Sequence, residues 1–428
     1  MNRDRSVQAL SQWIALCLLV LCIALGVLAQ AAPKYKFDPD WPKTLPNKWK
    51  MGGVTGLAVD KDDNVWVYDR PNDLRDIELD AETSPPLTDC CVRPPSMIHI
   101  DKEGNVIGYF DPPQGHGMAV DNKGFIYVGN VVNGKGNVRK YDPKTGKFLA
   151  ELPRTPETPP GGGGGDAAPP GAHVPGHGGR GPVQTELLPG ERPQPDPAKR
   201  AAAIAAFRTK YPPTTPMIVG GIEEVRIDND ANELYTADNY LGGRVMVFDL
   251  DTFKFKRGWG AYGHKLSEIS IDDKDREYVP NGPMPKEFRN HLTLNISKDG
   301  LVYAADRGAN RIDVTTKEGK FVKEFILAPS TGVPEPEQIL NRMAEGSAGG
   351  VGFSVDPKQQ FLYISDLSNN HVWFLNRDDG KVVGTLGSMG QNGGLFFGLH
   401  MIAVDSKGDI YTGEVFNGER VQRFVPVK

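Results

Sequence analysis

One phrase occurs six times along this chain, and it limits the possible folds more than any other feature. The copies are GLAVDKDDNVWVYD from Gly56, GMAVDNKGFIYVGN from Gly117, EVRIDNDANELYTAD from Glu224, HLTLNISKDGLVYAAD from His291, GFSVDPKQQFLYISD from Gly352 and MIAVDSKGDIYTGE from Met401. Each is an alternating apolar run ending at Asp or Asn, then a polar turn, then a second run carrying Tyr or Trp. Runs of that length, bounded by Gly, Asp and Asn, are strands joined by hairpins. Most copies continue into a third strand, such as RVMVFD from Arg244, and a fourth, such as KVVGTLG from Lys381. A β-sandwich would alternate in the same way but would not repeat the whole four-strand phrase. Self-similarity at a fixed period marks a repeat architecture, and four antiparallel strands six times over predict an all-β, six-bladed β-propeller.

The last copy supplies only three strands before Lys428, while KYKFD at Lys34–Asp38 is a spare strand. Pairing the two would close the ring and remove an open sheet edge. Long insertions fall at residues 73–95, between the second and third strands of blade 1, and at 154–216, 263–290 and 329–350, between blades. In a propeller such loops leave by one face, so that face is the expected functional side. The tract PPGGGGGDAAPPGAHVPGHGGRGP, from Pro159 to Pro182, holds too few apolar residues to bury a core. It predicts a disordered Pro/Gly-rich insertion over about 154–196. A short helix from about Pro197 to Arg208 is expected after it.

Residues 1–31 read as a signal peptide preceding a propeller over 32–428. Arg3 and Arg5 give a basic start, Ile14 to Leu28 is an uncharged apolar core, and Ala29-Gln30-Ala31 fits a cleavage site. The expectation is a secreted or periplasmic protein; an uncleaved N-terminal membrane anchor is the alternative. Beyond that segment only Cys90 and Cys91 remain, so no disulfide framework holds the fold. Adjacent cysteines can close a ring disulfide, but a pair of buried or idle thiols is the favoured reading. A net charge of −5 gives no electrostatic reason to expect nucleic acid as a partner.

Three of the eight histidines share a register. His116 and His400 stand five residues before the Asp of their phrase, and His291 four before its equivalent, Asn295. They begin the innermost strands of blades 2, 4 and 6, so they are expected to converge on the central axis. Three imidazoles with an open fourth position are the donor set of a catalytic zinc. His99, His264 and His371 match no such register and read as structural or solvated. His173 and His177, in the Pro/Gly tract, would bind metal only adventitiously. Arg70, Tyr240 and Arg307 lie just past second strands, in VYDRPND, TADNYLGGRV and AADRGANRI. A guanidinium beside a phenol favours the phenolate, which makes Tyr240 a candidate base. Arginines also suit a small-molecule or peptide substrate bearing a carboxylate.

The repeated phrase resembles the NHL repeat, and the blades together resemble peptidyl-α-hydroxyglycine α-amidating lyase from about Gly53 to Phe424, outside the insertions. The likeness is carried by GGVTGLAVD and the Arg70 loop, GHGMAVD, Asp238-Asn239-Tyr240 with Gly258-Trp259-Gly260, PMPKEFRNHLTL with Ala305-Asp306-Arg307, and LHMIAVDSKGDIYTGE. It implies a zinc ion on His116, His291 and His400, a catalytic Tyr240, and Arg70 and Arg307 to bind substrate and polarise the tyrosine. A structural calcium is implied as well, held by the backbone carbonyls of Val54 and Met118 and by an Asp after the third histidine. Met401 stands at that Asp position, so calcium is expected to bind weakly or not at all, with the channel filled by water or by packing of Met401. The family's disulfide cysteines are absent.

The implied activity is a zinc-dependent lyase that cleaves a carbinolamide to an amide and glyoxylate, its substrate supplied by a separate monooxygenase. Two alternatives stand beside it: a non-catalytic NHL-repeat scaffold that binds protein or peptide, and a lactonase-like metal hydrolase. The composition of the insertion makes one prediction. Deleting Pro159–Pro182 should leave the melting temperature unchanged, because no blade strand lies there. A large fall would show that the tract packs on the ring.

Overall fold

The Asp of the repeated phrase ends each hairpin turn by a local device. The Asp121 carboxylate accepts from the backbone N–H groups of Lys123 and Phe125, both at 2.9 Å, and Asp405 accepts from Lys407 and Asp409 at 2.9 Å. Such Asx bonds fold the chain back on itself. The Tyr of the next strand then reaches the same carboxylate: Tyr127 Oη donates to Asp121 at 3.1 Å, and Tyr411 to Asp405 at 3.2 Å. In blades 2 and 6, Asp, turn and Tyr therefore work as one unit.

The structure is a computed structural model, and it describes residues 32–132, 135–160, 197–289, 291–332, 346–416 and 418–427. The signal segment, His173, His177 and the larger part of the Pro/Gly insertion lie outside the described residues. Among those described, no helix is long and apolar enough to cross a membrane.

The chain forms six four-stranded antiparallel sheets arranged as the blades of a propeller. A leading strand, β1 (Tyr35–Asp38), precedes blade 1, which comprises β2 (Gly53–Val59), β3 (Val65–Arg70), β4 (Met97–Ile100) and β5 (Val106–Phe110). Blade 2 is β6 (Gly115–Val120), β7 (Ile126–Val132), β8 (Lys135–Tyr141) and β9 (Phe148–Glu151). Helix α1 (Pro197–Lys210) then leads into blade 3: β10 (Gly221–Asp228), β11 (Glu233–Asn239), β12 (Arg244–Asp249) and β13 (Phe255–Trp259). Blade 4 is β14 (Leu292–Ile296), β15 (Leu301–Asp306), β16 (Arg311–Thr316) and β17 (Phe321–Ile326). Blade 5 is β18 (Val351–Phe353), β19 (Phe361–Asp366), β20 (His371–Asn376) and β21 (Val382–Leu386). Blade 6 has β22 (Leu399–Val404), β23 (Ile410–Glu414) and β24 (Val421–Pro426), and β1 completes it.

That completion follows the expected ring closure. Strand β1 pairs antiparallel with β24 from Tyr35 opposite Pro426 to Asp38 opposite Arg423, and Arg423 Nε donates to the Asp38 carboxylate at 2.8 Å. Buried apolar side chains gather between neighbouring blades. One cluster joins Tyr127 and Val138 of blade 2 to Ile222 and Met246 of blade 3, and another joins Ala305 and Val314 of blade 4 to Val351 and Leu362 of blade 5. Burial between blades holds each sheet against the next, as in other repeat folds.

One sequence expectation is corrected. Cys90 and Cys91 are joined in a disulfide on the loop between β3 and β4. Neither is buried, so no apolar surroundings shelter idle thiols there, and adjacent sulfurs lie within bonding reach. The predicted helix after the insertion is present and runs to Lys210. Its Arg208 Nη1 donates to Ile271 O at 2.9 Å and to Asp273 at 2.7 Å, docking it on the 263–290 loop.

Trp41 seals the closed ring. Its side chain is 2% exposed, its ring packs edge-on against Tyr411 of blade 6, and its Nε1 donates to Asp101 O of blade 1 at 2.9 Å. Trp41→Ala should therefore cost about 3–5 kcal/mol, the range for emptying a large aromatic site. Chemical denaturation read by fluorescence and circular dichroism checks it, and a loss below ~1 kcal/mol would mean that the joint is not held there.

Candidate metal centre

Antiparallel pairing lays the start of each inner strand against the end of the second strand, as with Gly53 opposite Arg70, Gly221 opposite Asn239 and Leu292 opposite Asp306. Near that end the inner strands of blades 1, 2, 3 and 6 each carry a register shift, at Thr55, at His116-Gly117, at Glu223 and at His400. A bulge bends its strand and re-aims the extra side chain. The same offset, five residues before the Asp, thus delivers one side chain per blade to the mouth of the ring. In blade 4 His291 immediately precedes β14 with φ at 53°, a left-handed conformation that costs energy for a histidine.

Four groups meet there. His116 Nε2 and His400 Nε2 are 3.2 Å apart, with the two rings edge to face. His291 Nδ1 lies 3.0 and 3.1 Å from the two carboxylate oxygens of Glu223. His116 Nδ1 is 2.7 Å from the Glu223 main-chain oxygen, and its Nε2 is 3.7 Å from Glu223 Oε1. Ligand atoms of His116, Glu223 and His400 all fall within 4.8 Å of one another. His291 stands outside that group and joins it through Glu223, a residue that sequence reasoning missed. The signal was present: Glu223 stands five residues before Asp228, the offset of His116 and His400.

Neighbouring elements hold this cluster. Asn239, last residue of β11, accepts from Leu292 N at 2.6 Å through Oδ1 and donates through Nδ2 to Glu223. It thereby fixes the start of β14, and His291 with it, beside the carboxylate. Tyr240, next in the chain, has φ at 51° and sets its ring 5.4 Å from that of His291. Arg307 is 3% exposed, with Nη2 3.4 Å from Glu223 Oε1. Arg70 is held by Asp73 at 2.8 Å, and the 20% exposure of its side chain makes it the more accessible guanidinium. The histidines without a shared register lie elsewhere. His99 stacks on Trp66 and bonds Asp60 at 3.0 Å, while His264 and His371 sit beside Glu287 and Asp366.

Electrostatics favour neutral imidazoles at His116 and His400 and an ionised carboxylate at Glu223. Burial pushes His116 down to about 4, with the charges of Arg70 and Arg307 acting in the same direction against Glu223. Burial and the nearby cations also hold His400 well below the usual histidine range. Glu223, 2% exposed, is pushed up by burial, but His291, His116 and Arg307 outweigh that, and its carboxyl stays below the usual range. Because His116 is itself neutral near pH 7, Arg307 is the permanent cation in that set.

This donor set fits a divalent cation. His400 Nδ1 is buried without a hydrogen-bond partner, and the Nε2 atoms of His116 and His400 face each other at hydrogen-bond distance, 3.2 Å. Neutral, inward-facing imidazoles beside a carboxylate are what zinc and similar ions take. Deeper in the channel, the Met118 carbonyl accepts from Arg226 Nη1 at 3.2 Å, and Met401 is packed with Val54 and Leu57 in an apolar cluster.

No protein-family profile and no curated protein matches this chain. Among solved structures it is similar to a structural genomics protein of unknown function from Bacteroides thetaiotaomicron VPI-5482, with a TM-score of 0.50 and 13% identity over 93% of this chain and 77% of that one. That likeness shows the fold alone. The fold is a six-bladed β-propeller.

Gly117 gives the centre its most direct structural test. Its φ is 75°, and a Cβ there would lie 2.8 Å from Glu223 O and Glu224 Cα. Gly117→Ala should cost about 1–3 kcal/mol in a melting experiment, from the left-handed backbone alone. An unchanged melting temperature would mean that β6 and β10 are not packed this closely.

Proposed function

We propose that the chain is a zinc-dependent lyase that breaks the C–N bond of a peptidyl-α-hydroxyglycine-like carbinolamide, giving an amide and glyoxylate. The observation that carries this reading is the meeting of His116, His291 and His400 around Glu223, with the Tyr240 ring against His291. A scaffold that only binds peptides has no use for imidazoles collected from three blades around one buried carboxylate. The residue set is also the one that the resemblance to the α-amidating lyase implies.

In this reading His116, His291 and His400 hold the zinc ion, which when bound supplies Lewis acidity toward a substrate oxygen. Tyr240 takes the proton of the carbinol hydroxyl. The C–O bond becomes a carbonyl, the C–N bond breaks, and the amide nitrogen gains a proton, so no oxidant or reductant is consumed. Arg70, the more accessible guanidinium, receives the substrate carboxylate, for which its planar fork is suited. Arg307 keeps its charge on Glu223 and through it on the histidines. The Met118 carbonyl already serves Arg226, so the proposal includes no calcium. The N-terminal segment would direct the protein outside the cytoplasm, where a separate monooxygenase would supply the hydroxylated substrate.

Incubation with a peptidyl-α-hydroxyglycine should release glyoxylate. Tyr240→Phe should lower turnover by about 10²–10⁴-fold, the usual worth of a positioned general base, while zinc stays bound. His116→Ala, His291→Ala and His400→Ala should each lose most of the zinc measured by plasma emission, and His99→Ala should keep it. Wild-type protein that holds zinc but never releases glyoxylate would overturn the substrate and leave the metal site standing.

A further inference from the structure

We infer that Glu223 is the positioning residue that sets the tautomers of His116 and His291, so that both present an Nε2 lone pair to one metal ion. The inference rests on the reading of the three histidines as a metal centre. It does not depend on the lyase reaction.

The hydrogen bonds carry the argument. An ionised carboxylate only accepts, so the His291 Nδ1 that lies 3.0 and 3.1 Å from its two oxygens must carry the proton. A peptide carbonyl only accepts too, so His116 Nδ1, 2.7 Å from Glu223 O, is likewise protonated. In a neutral imidazole the other nitrogen then bears the lone pair, and in both rings that is Nε2. One residue thus acts twice, through its side chain on blade 4 and through its main chain on blade 2. A partner on the second ring nitrogen is the usual way a protein orients a metal-binding histidine.

The carboxylate is also occupied. Oε2 accepts from Asn239 Nδ2 as well as His291, and Oε1 faces Arg307 Nη2 at 3.4 Å. His400 lacks such a partner: its Nδ1 is buried and unbonded, and its Nε2 faces the His116 lone pair at 3.2 Å. In metal-free protein His400 therefore donates from Nε2 and is the opposite tautomer.

Nitrogen-15 chemical shifts of the metal-free wild type test this with no substitution. His116 and His291 should be Nδ1–H tautomers and His400 Nε2–H; finding His291 as Nε2–H would overturn the inference even if the protein bound no metal. The second test titrates zinc and cobalt(II) into wild type, Glu223→Gln and His291→Ala. Glu223→Gln should weaken binding about 10–100-fold, the usual cost of losing such an orienting partner, while keeping the cobalt absorption spectrum and one ion at saturation. His291→Ala should lose stoichiometric binding. Unchanged affinity in Glu223→Gln would overturn the inference, as would binding abolished there but intact in His291→Ala, which would make Glu223 the ligand. Failure of wild type to bind either ion would instead remove the metal centre.

Discussion

Antiparallel pairing inside each blade is the constraint from which the rest of this structure follows. It fixes the start of an inner strand beside the end of the second strand, so bulged inner-strand residues and post-strand loop residues share one mouth. The loops need an anchor at that point. Asp238 and Asp306, near or at the ends of second strands, are fully buried against Arg244 and Arg311 at 2.9 and 3.0 Å. Each arginine also grips the incoming loop: Arg244 donates to Thr215 O and Met217 O, and Arg311 to Pro285 O and Glu287 O. Buried ion pairs add little net stability, but removing one partner is costly, so they hold a chosen geometry. The geometry held here is that of Tyr240 and Arg307, one or two residues past each Asp.

A second carboxylate, Glu223, is buried for a different reason. Taking an isolated anion out of water costs several kcal/mol, which the protein recovers only through close partners. Asn239, His291 and Arg307 are those partners, and each comes from a different strand or loop. The carboxylate thus gathers the site as well as residing in it. Without Glu223 the His291 Nδ1–H and the Asn239 Nδ2–H would lose the carboxylate that accepts from them, and Arg307 the anion it faces.

The blades were legible in the sequence because each repeats an alternating run, a polar turn and a second run, a pattern that strand and hairpin geometry imposes locally. Ring closure by Tyr35–Asp38 was legible because the last copy lacked a strand. The histidines could be seen because an imidazole at a fixed offset is rare enough to notice. Glu223 occupies the same offset, yet a glutamate at the start of a strand reads as a solvated face. Its burial depends on Arg307, 84 positions later, and on His291, 68 positions later, which no local pattern reveals. The Asp238–Arg244 and Asp306–Arg311 pairs were missed because each residue alone looks like a loop charge. For Cys90 and Cys91 the sequence admits both a ring disulfide and idle thiols, and the structure has the disulfide.

Below the site a guanidinium ties two neighbouring blades together. The resemblance to the α-amidating lyase places a calcium ion there, on backbone carbonyls and one aspartate, but Met401 brings no charge. Arg226 donates to Met118 O at 3.2 Å, Val225 O at 3.0 Å and the Glu224 carboxylate at 2.7 Å. A guanidinium with a buried carboxylate supplies a cation and its counter-charge from one strand. Burial pushes Glu224 up to about 7 against the pull of Arg226, and its second oxygen has no hydrogen-bond partner. The pair is therefore an imperfect match, tolerable because the guanidinium satisfies carbonyls from two neighbouring blades at once. A carbonyl engaged in this way is not offered to a metal unless Arg226 moves, and Met401, 3% exposed among Trp41, Val54 and Leu57, supplies no oxygen to compete for one.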